Sequence, residues 1–160
     1  MAVEDKYVDA DIVAGKLASA LGAGSAKLTG GQVLCQVAAA DDNGSKYRLF
    51  KNLPPDLVIQ SIIIQNDAIT SGTDYDLGLY IGDSGAAKDV DVLVDGADLS
   101  SAGTNVYLLV DPAKAGMALW ELAGDTVSTK ELGYDIVLTA NTVGSGAGDI
   151  AVAITFAQGR

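Results

Sequence analysis

The sequence predicts a mainly β protein: an antiparallel β-sandwich of jelly-roll type with one docked helix over about residues 111–123. Three observations lead to this fold class. Short apolar or alternating segments recur between clusters of turn residues. The 18 Asp against three Glu, together with 19 Gly, favour turns and strand ends over helices. Helix signals are scarce between the strands, whereas a parallel α/β sheet would need a helix between most of them.

The first 31 residues are predicted to form an N-terminal arm or a short helix, ahead of a β-sandwich domain over residues 32–160. Apolar residues recur at helical spacing from Ala10 to Leu21. The segment GAGSAKLTGG (22–31) that follows is rich in glycine and favours an extended, flexible chain. Both alternatives stay open at this point, and we favour the arm.

Seven strands are predicted over the rest of the chain. The strongest is LVIQSIIIQ (57–65), because both of its faces are largely apolar, as in a central strand that is covered on both sides. In SKYRLFK (45–51), strict alternation predicts that Tyr47 and Phe50 lie on opposite faces. The other predicted strands are QVLCQVAAA (32–40), DYDLGLYI (74–81), NVYLLV (105–110), GYDIVLTAN (133–141) and DIAVAITFA (149–157).

The docked helix is predicted in DPAKAGMALWELAG (111–124). Asp111 is a good N-cap, Pro112 suits the first helical position, and Gly124 can end the helix in a left-handed conformation. The residues expected to pack onto a sheet are Met117, Trp120, Leu119 and Ala123. A second, shorter helical turn is expected in DVDVLVDG (89–96).

Charge and hydropathy exclude several classes of function. The net charge of −11 argues against nucleic-acid binding, which needs clustered Lys and Arg. No apolar run approaches the ~20 residues that a membrane-spanning helix needs. The N-terminus lacks the basic start and apolar stretch of a secretory signal, so synthesis in the cytoplasm is expected. The single cysteine, Cys35, lies in an apolar run and is expected to be a buried, inert thiol.

Catalytic chemistry is not indicated anywhere in the chain. The absence of histidine removes the usual general base, the Ser-His-Asp and Cys-His arrangements, and the commonest ligand for zinc, copper and iron. The glycine-rich segments lack both the dinucleotide and the P-loop patterns. We therefore assign no catalytic, cofactor-binding or metal-binding residue and expect a protein that is not an enzyme.

Three acidic groups are candidate sites: Asp41, Asp42 and Asn43 in one turn; Asp89, Asp91 and Asp95 in a loosely calcium-like spacing; and Asp74 with Asp76 on one strand face. Neither calcium candidate has the twelve-residue pattern that ends in Glu. The last pair, ~7 Å apart by strand geometry, could suggest a glycosidase, but nothing in the sequence marks either carboxylate as a catalytic acid. Solvated strand edges and caps are the preferred interpretation of all three.

Aromatic residues offer a sugar-binding face as an alternative to a core role. The residues concerned are Tyr75, Tyr80, Tyr107, Tyr134 and Trp120. In a sandwich with only two Phe, these side chains are expected to anchor the core and interfaces. Tyr47 and Tyr107 are predicted to anchor a homo-oligomer interface, because their neighbours are apolar.

A succession of motifs resembles a known family. The motifs, in order over about residues 45–157, are SKYRLFKNLPPDLVIQSIIIQNDAI, DYDLGLY, DVDVLVDGADLSSAG, ALWELAG and GYDIVLTANTVGSGAGDIAVAITFA. They resemble small virion structural proteins of tailed bacteriophages and, more narrowly, head decoration or cement proteins. None of the motifs is catalytic, so the resemblance rests on their succession.

The resemblance implies a jelly roll on the outer surface of an icosahedral capsid. The expected function is decoration and stabilisation of the shell across capsomers, with the major capsid protein and a second or third copy of this chain as partners. The alternative is a carbohydrate- or calcium-binding β-sandwich module of a phage adhesion or tail protein. A small hydrolase is disfavoured by the missing histidine.

Overall fold

The computed structural model describes residues 5–7, 29–107, 112–126 and 133–158 of this chain. Within these residues the protein is built almost entirely from strands, with one 3-10 turn at Pro112–Lys114 and one short helix, α1, at Leu119–Leu122. The strands are β1 (Asp5–Tyr7), β2 (Thr29–Val37), β3 (Ser45–Leu53), β4 (Leu57–Asn66), β5 (Asp74–Ile81), β6 (Ala87–Ala97), β7 (Gly103–Tyr107), β8 (Tyr134–Thr142) and β9 (Gly148–Gln158).

The strands form two sheets that pack face to face. One sheet has the order β1-β3-β8-β5-β6, and the other has the order β2-β9-β4-β7. From β2 onward the first strand pairs with the last: β2 with β9, β3 with β8, β4 with β7, and β5 with β6, all antiparallel. This pairing is the strand arrangement of a jelly roll, and the predicted β-sandwich is confirmed.

The core lies between the two sheets and follows the alternation of the strands. In β9, Ile150, Val152, Ile154 and Phe156 point inward and are fully buried, as the alternating sequence predicts. In β2 the inward side chains are Val33, Cys35 and Val37. The predicted burial of the Cys35 thiol is therefore confirmed.

The docked helix lies at the predicted place but is shorter than the predicted 111–123. Gly116 has a φ of 82°, in the left-handed region, and separates the 3-10 turn from α1. A continuous α-helix cannot pass through this backbone conformation. Gly124, with a φ of 74°, ends the helical segment as predicted. The predicted N-cap, Asp111, lies outside the described residues.

Segment 89–96 is not the predicted helical turn but the middle of strand β6. Val92, Leu93 and Val94 are buried there, and β6 pairs with β5 along the edge of its sheet. The pairing supplies backbone hydrogen bonds and buries apolar side chains together. The free energy gained from these two effects exceeds the weak local preference of the alternating Asp residues for a turn.

Two β-bulges change which side chains of β3 and β4 face the core, and the prediction of strict alternation is wrong beyond each bulge. In β3 the register shifts between Arg48 and Phe50, and Phe50 joins Tyr47 in the core. In β4 the register shifts between Ile59 and Ser61. Beyond that bulge one face of β4 is buried and the other is only half-covered, so β4 is not covered on both sides as predicted. A bulge adds one residue to one strand and so reverses the face of every later side chain.

The N-terminal segment is described only at its two ends. Residues Asp5–Tyr7 pair in parallel with β3 at the edge of its sheet. Residues 29–31 already belong to β2 and pair with β9. The helical spacing from Ala10 to Leu21 lies outside the described residues, so the choice between an arm and a helix stays a prediction. Among the described residues, no helix is long and apolar enough to span a membrane.

Candidate interaction surface

The acidic turn at residues 41–43 uses its side chains to hold loops together. Asp41 is buried, and its Oδ2 accepts hydrogen bonds from the Tyr47 hydroxyl at 2.7 Å and from the Ala38 N–H at 2.9 Å. Asn43 Oδ1 accepts the Val143 N–H at 3.0 Å. Burial, reinforced by the hydrogen bond to Asp41, raises the pKa of Tyr47 far above its usual range. The turn therefore has a structural role in the fold, and the prediction of a solvated side chain is wrong for Asp41.

Asp74 and Asp76 lie beside each other on β5 and are bridged by one amide. The Asn141 amide donates to Asp76 Oδ2 at 2.5 Å and to Asp74 Oδ1 at 3.3 Å. Asp76 Oδ1 also accepts the Gly96 N–H at 2.8 Å. Asp76 is only 6% exposed, so the prediction of a solvated carboxylate is wrong for this residue. The two carboxylates do not face each other across a cleft.

The acids of β6 lie at the edge of the five-stranded sheet. Asp91 and Asp95 are exposed, and Asp89 is half-buried. A hydrogen bond with Asp89 raises the pKa of Asp91, with a smaller contribution from burial. Across the described part of the chain, no three His, Cys, Asp or Glu side chains are grouped so that they could hold a metal ion. Charged side chains along an exposed edge oppose pairing with another strand.

A buried ion pair on β3 and β8 was not predicted from the sequence. Arg48 Nη1 lies 3.4 Å from Asp135 Oδ2, and the two side chains are 5% and 1% exposed. Asp135 Oδ1 also accepts the Asn52 N–H at 2.8 Å. Burial raises the pKa of Asp135 despite these two partners. The signal in the sequence was incomplete, because Asp135 is the single charge in β8 but Arg48 is one of three basic residues in β3.

The tyrosines are buried, as predicted, although Tyr80 lies outside the core cluster between the two sheets. Tyr75, Tyr80 and Tyr134 are at most 1% exposed. Tyr75 donates to the Val143 carbonyl at 2.8 Å, and Tyr134 donates to Asp125. Asp125 also lies 2.5 Å from Lys88 Nζ, which lowers the pKa of this carboxylate. These rings are therefore not available to stack against a sugar.

Of the two predicted interface anchors, Tyr47 and Tyr107, the structure tests only Tyr47. Tyr47 is fully buried inside the sandwich, so its assignment to an oligomer interface is wrong. Its hydroxyl is bound to Asp41, an arrangement that a run of apolar neighbours does not reveal. The side chain of Tyr107 lies outside the described residues. Trp120 is half-buried and packs against the edge of the core.

The outer face of the four-stranded sheet has a different character from the other surfaces. We define the uncharged sheet face as eleven outward side chains in the middle of β2, β9, β4 and β7, which leaves out the outward Asp149 of β9 at one end. They are Gln32, Leu34, Gln36, Ala151, Ala153, Thr155, Ser61, Ile63, Gln65, Thr104 and Val106. Leu34 and Val106, on the two edge strands of this face, are 62% and 65% exposed.

Among the described residues of these four strands, the acidic outward side chain is Asp149, at one end of the face. Asp149 accepts a hydrogen bond from the Gln36 amide at 3.1 Å, and its N–H donates to Asp67 at 3.2 Å. None of the eleven side chains of the face is charged, although the whole chain carries a net charge of −11. Depletion of charge around apolar side chains is typical of the centre of a protein interface. We therefore regard the uncharged sheet face as the candidate interaction surface.

Comparisons with known proteins agree with the fold. No family model matches the sequence, and no curated protein sequence matches it. Among solved structures, a chain from the capsid of Ralstonia phage GP4 is similar, with 16% identity and a TM-score of 0.59, covering 85% of this chain and 88% of that one. A chain from the cyanophage Pam1 capsid has 19% identity and a TM-score of 0.42, covering 86% and 89%. Only the first likeness is strong enough to support a shared fold.

Proposed function

We propose that this chain is a non-enzymatic structural protein of a phage capsid, which decorates the outer shell and stabilises it by binding across capsomers. The observation that carries the proposal is the fold shared, over nearly the full length of both chains, with a chain from the capsid of Ralstonia phage GP4. The succession of motifs over residues 45–157 supports the same class of protein. The partners proposed are the major capsid protein and further copies of this chain.

The distribution of charge fits such a role. The acids keep the free protein dispersed, because a net charge of −11 makes subunits repel each other. The uncharged sheet face supplies a surface that can be buried without desolvating a charge. Many copies, each held by weak contacts on a shell, would act together with a high effective concentration. We place the chain on the capsid surface, after synthesis in the host cytoplasm.

Copy number on the virion tests the proposal directly. Quantitative mass spectrometry of purified particles, or cryo-electron microscopy of the virion, is expected to find hundreds of copies on the outside of the shell. A dozen copies or fewer would instead indicate a tail or vertex protein and would contradict decoration. Calorimetry with calcium and a glycan panel addresses the adhesion-module alternative, for which calcium-dependent sugar binding is the expected result.

The shell contact is proposed to involve residues 1–31. Deletion of residues 1–28 spares β2, which begins at Thr29, and removes only the three-residue β1 from the described fold. The truncated protein should melt within a few degrees of the intact chain and should fail to bind capsids that lack the protein. Undiminished capsid binding, or loss of folding, would contradict this assignment.

A further inference from the structure

We propose that the uncharged sheet face lies against the capsid shell, and that a depression at its acidic end receives a basic side chain of the shell. This contact deepens the proposed function and rests on it, because it assigns a surface of this chain to the partner proposed above. The chemistry of the contact defines the partner surface: a neutral, partly apolar patch that carries one Lys or Arg side chain.

The depression has a volume of about 220 Å³ and lies where the uncharged sheet face meets its acidic end. Its walls include the apolar side chains of Leu34 and Ala151 and the carboxylates of Asp67 and Asp149. A Lys or Arg side chain has the same division, with an apolar stem and a cationic head. The stem would lie against Leu34 and Ala151, and the head would lie at the two carboxylates.

The two carboxylates lie close together and have no cation from their own sheet. The Asp67 N–H donates to the Asp149 carbonyl at 3.0 Å, and Asp67 Oδ2 accepts the Asp149 N–H at 3.2 Å. Like charges at such neighbouring positions destabilise a sheet. No Lys or Arg occurs in β2, β4, β7 or β9, whereas Asp125 elsewhere in the chain has Lys88 as its cation. A basic side chain of a partner would relieve this repulsion.

A buried amide at the same place also lacks a donor. The Asn66 Nδ2 donates to the carbonyls of Asp67, Leu99 and Ser101 at 2.7, 3.1 and 2.9 Å, which fixes the orientation of the amide. Asn66 lines the depression and is 8% exposed, and its Oδ1 accepts no hydrogen bond from any described residue. Buried acceptors without a donor are rare. Their presence beside two carboxylates favours a partner group that is rich in N–H donors.

Charge also distinguishes this surface from the outward side of the five-stranded sheet. There β6 exposes Asp91 and Asp95, which a neutral partner would have to desolvate. The uncharged sheet face instead exposes Leu34 and Val106 on its two edge strands. Its middle can therefore be buried without desolvating a charge, while its acidic end selects a partner with a basic group.

The proposed shell contact through residues 1–31 is continuous with this face. Strand β2 begins at Thr29 and supplies Gln32, Leu34 and Gln36 to one edge of the face. Four strands about 4.8 Å apart and seven residues long cover roughly 19 by 23 Å, so the contact would bury on the order of 900 Å². Because a stable interface needs ~1,000 Å² or more, the face should bind weakly alone and act together with residues 1–31.

Capsids that lack the protein provide the test of the basic contact, with binding measured by co-sedimentation. Asp149→Asn removes a charge but keeps an oxygen that can accept the Gln36 amide. Asp95→Asn is the matched control, because it makes the same change in net charge at an exposed acid of β6. Asp149→Asn should bind roughly tenfold more weakly than the intact chain, and Asp95→Asn within about twofold of it. Equal binding of the two variants would overturn the basic contact.

A second pair of variants tests the uncharged part of the face. Val106→Asp and Leu34→Asp place a carboxylate on its two edges, and Val90→Asp makes the same change at an exposed valine of β6. The first two should lose capsid binding, and Val90→Asp should bind like the intact chain. Equal melting temperatures of the three variants would show that each remains folded.

Salt separates the basic contact from the uncharged one. Raising NaCl from about 0.05 to 0.5 M screens an ion pair at the rim of an interface, so the advantage of the intact chain over Asp149→Asn should shrink severalfold. The deficit of Val106→Asp should persist, because it comes from burying a charge. An advantage over Asp149→Asn that does not change with salt would exclude a basic side chain as the partner group.

The outcomes also distinguish this contact from the proposed function. If the intact chain is absent from virions and does not bind capsids, both fail. If the intact chain binds but Asp149→Asn, Leu34→Asp and Val106→Asp bind as tightly as their controls, decoration stands and this face is excluded as the shell contact. If Val106→Asp binds capsids normally and instead loses self-association of the free protein, the face belongs to a second copy. Weaker capsid binding of all three variants, with both controls unchanged, supports the shell contact.

Discussion

The least expected feature at the scale of single residues is the Arg48–Asp135 pair. Both residues lie on the side of the five-stranded sheet that faces away from the core, yet both are buried. Arg48 also lies 5.6 Å from the centre of the Tyr80 ring, and its Nη2 donates to the Gly85 carbonyl at 3.5 Å. A buried charge is tolerated when partners of this kind surround it. Loss of one charge of the pair leaves the other charge buried in a low-dielectric environment without a partner.

Removal of one partner should therefore be costly. We expect Arg48→Met to lower the free energy of unfolding by about 3–5 kcal/mol, because it leaves Asp135 buried without its cation. In the double variant Arg48→Met/Asp135→Asn, the new amide can still accept the Asn52 N–H, so much of the loss should be recovered. Urea unfolding of the single and double variants gives the comparison. If the loss of unfolding free energy in the double variant equals the sum of the losses in the two single variants, the two side chains do not interact.

The pH dependence of stability should report Asp135 as well. Burial raises its pKa above the ordinary value of 3.8, so the folded protein holds this proton more tightly than the unfolded chain does. The resulting stabilisation is present below about pH 3.8 and is lost as the pH rises through the raised pKa. The stability of the intact chain relative to Asp135→Asn should therefore fall between acid and neutral pH. A rising difference would contradict the raised pKa.

At the scale of elements, β6 depends on a glycine in its neighbour. A Cβ on Gly78 would lie 2.3 Å from the backbone of Asp89 and Val90, because β6 comes close to β5 where the register between the two strands shifts. Gly78→Ala should cost about 3 kcal/mol or more, since backbone atoms cannot move aside as a side chain can. Gly103→Ala is the matched control, as open space surrounds that position. The control should change stability by less than about 1 kcal/mol, in either direction. Equal melting temperatures of both variants would contradict the close approach of β6 to Gly78.

The short helix should be held by its leucines more than by its tryptophan. Leu119 is fully buried and Leu122 is 5% exposed, whereas Trp120 is half-buried. Leu119→Ala should cost about 3 kcal/mol, within the range for a buried leucine, and Trp120→Ala should cost about 1–2 kcal/mol. Chemical unfolding gives both values. A larger cost for Trp120→Ala would indicate that the indole, and not the leucine pair, fastens α1 to β4.

At the scale of the whole molecule, the sequence predicts regular strands well and interrupted strands poorly. The alternation in residues 149–157 is enough to orient β9, because its inward and outward side chains differ in size and polarity along its length. The bulges in β3 and β4 depend on pairing with strands that are distant in the sequence, so no local sequence pattern predicts them. The uncharged sheet face could likewise not be predicted from the sequence, since it is assembled from four strands that are far apart in the chain.

The charge of the whole molecule leads to the last prediction. Folding brings 11 net negative charges closer together, and screening reduces this cost more in the compact state than in the expanded chain. Adding NaCl should therefore raise Tm by about 2–4 °C, the shift that ~1 kcal/mol gives in a chain of this size. The check is a set of thermal melts in NaCl and in CaCl₂ at matched ionic strength, which should agree if the exposed acids act only as diffuse charge. A further rise with CaCl₂ alone would mean that some acids bind calcium specifically, and the adhesion-module alternative would gain support. A fall of Tm with NaCl would mean that favourable ion pairs, such as Lys88–Asp125, outweigh the repulsion between acids.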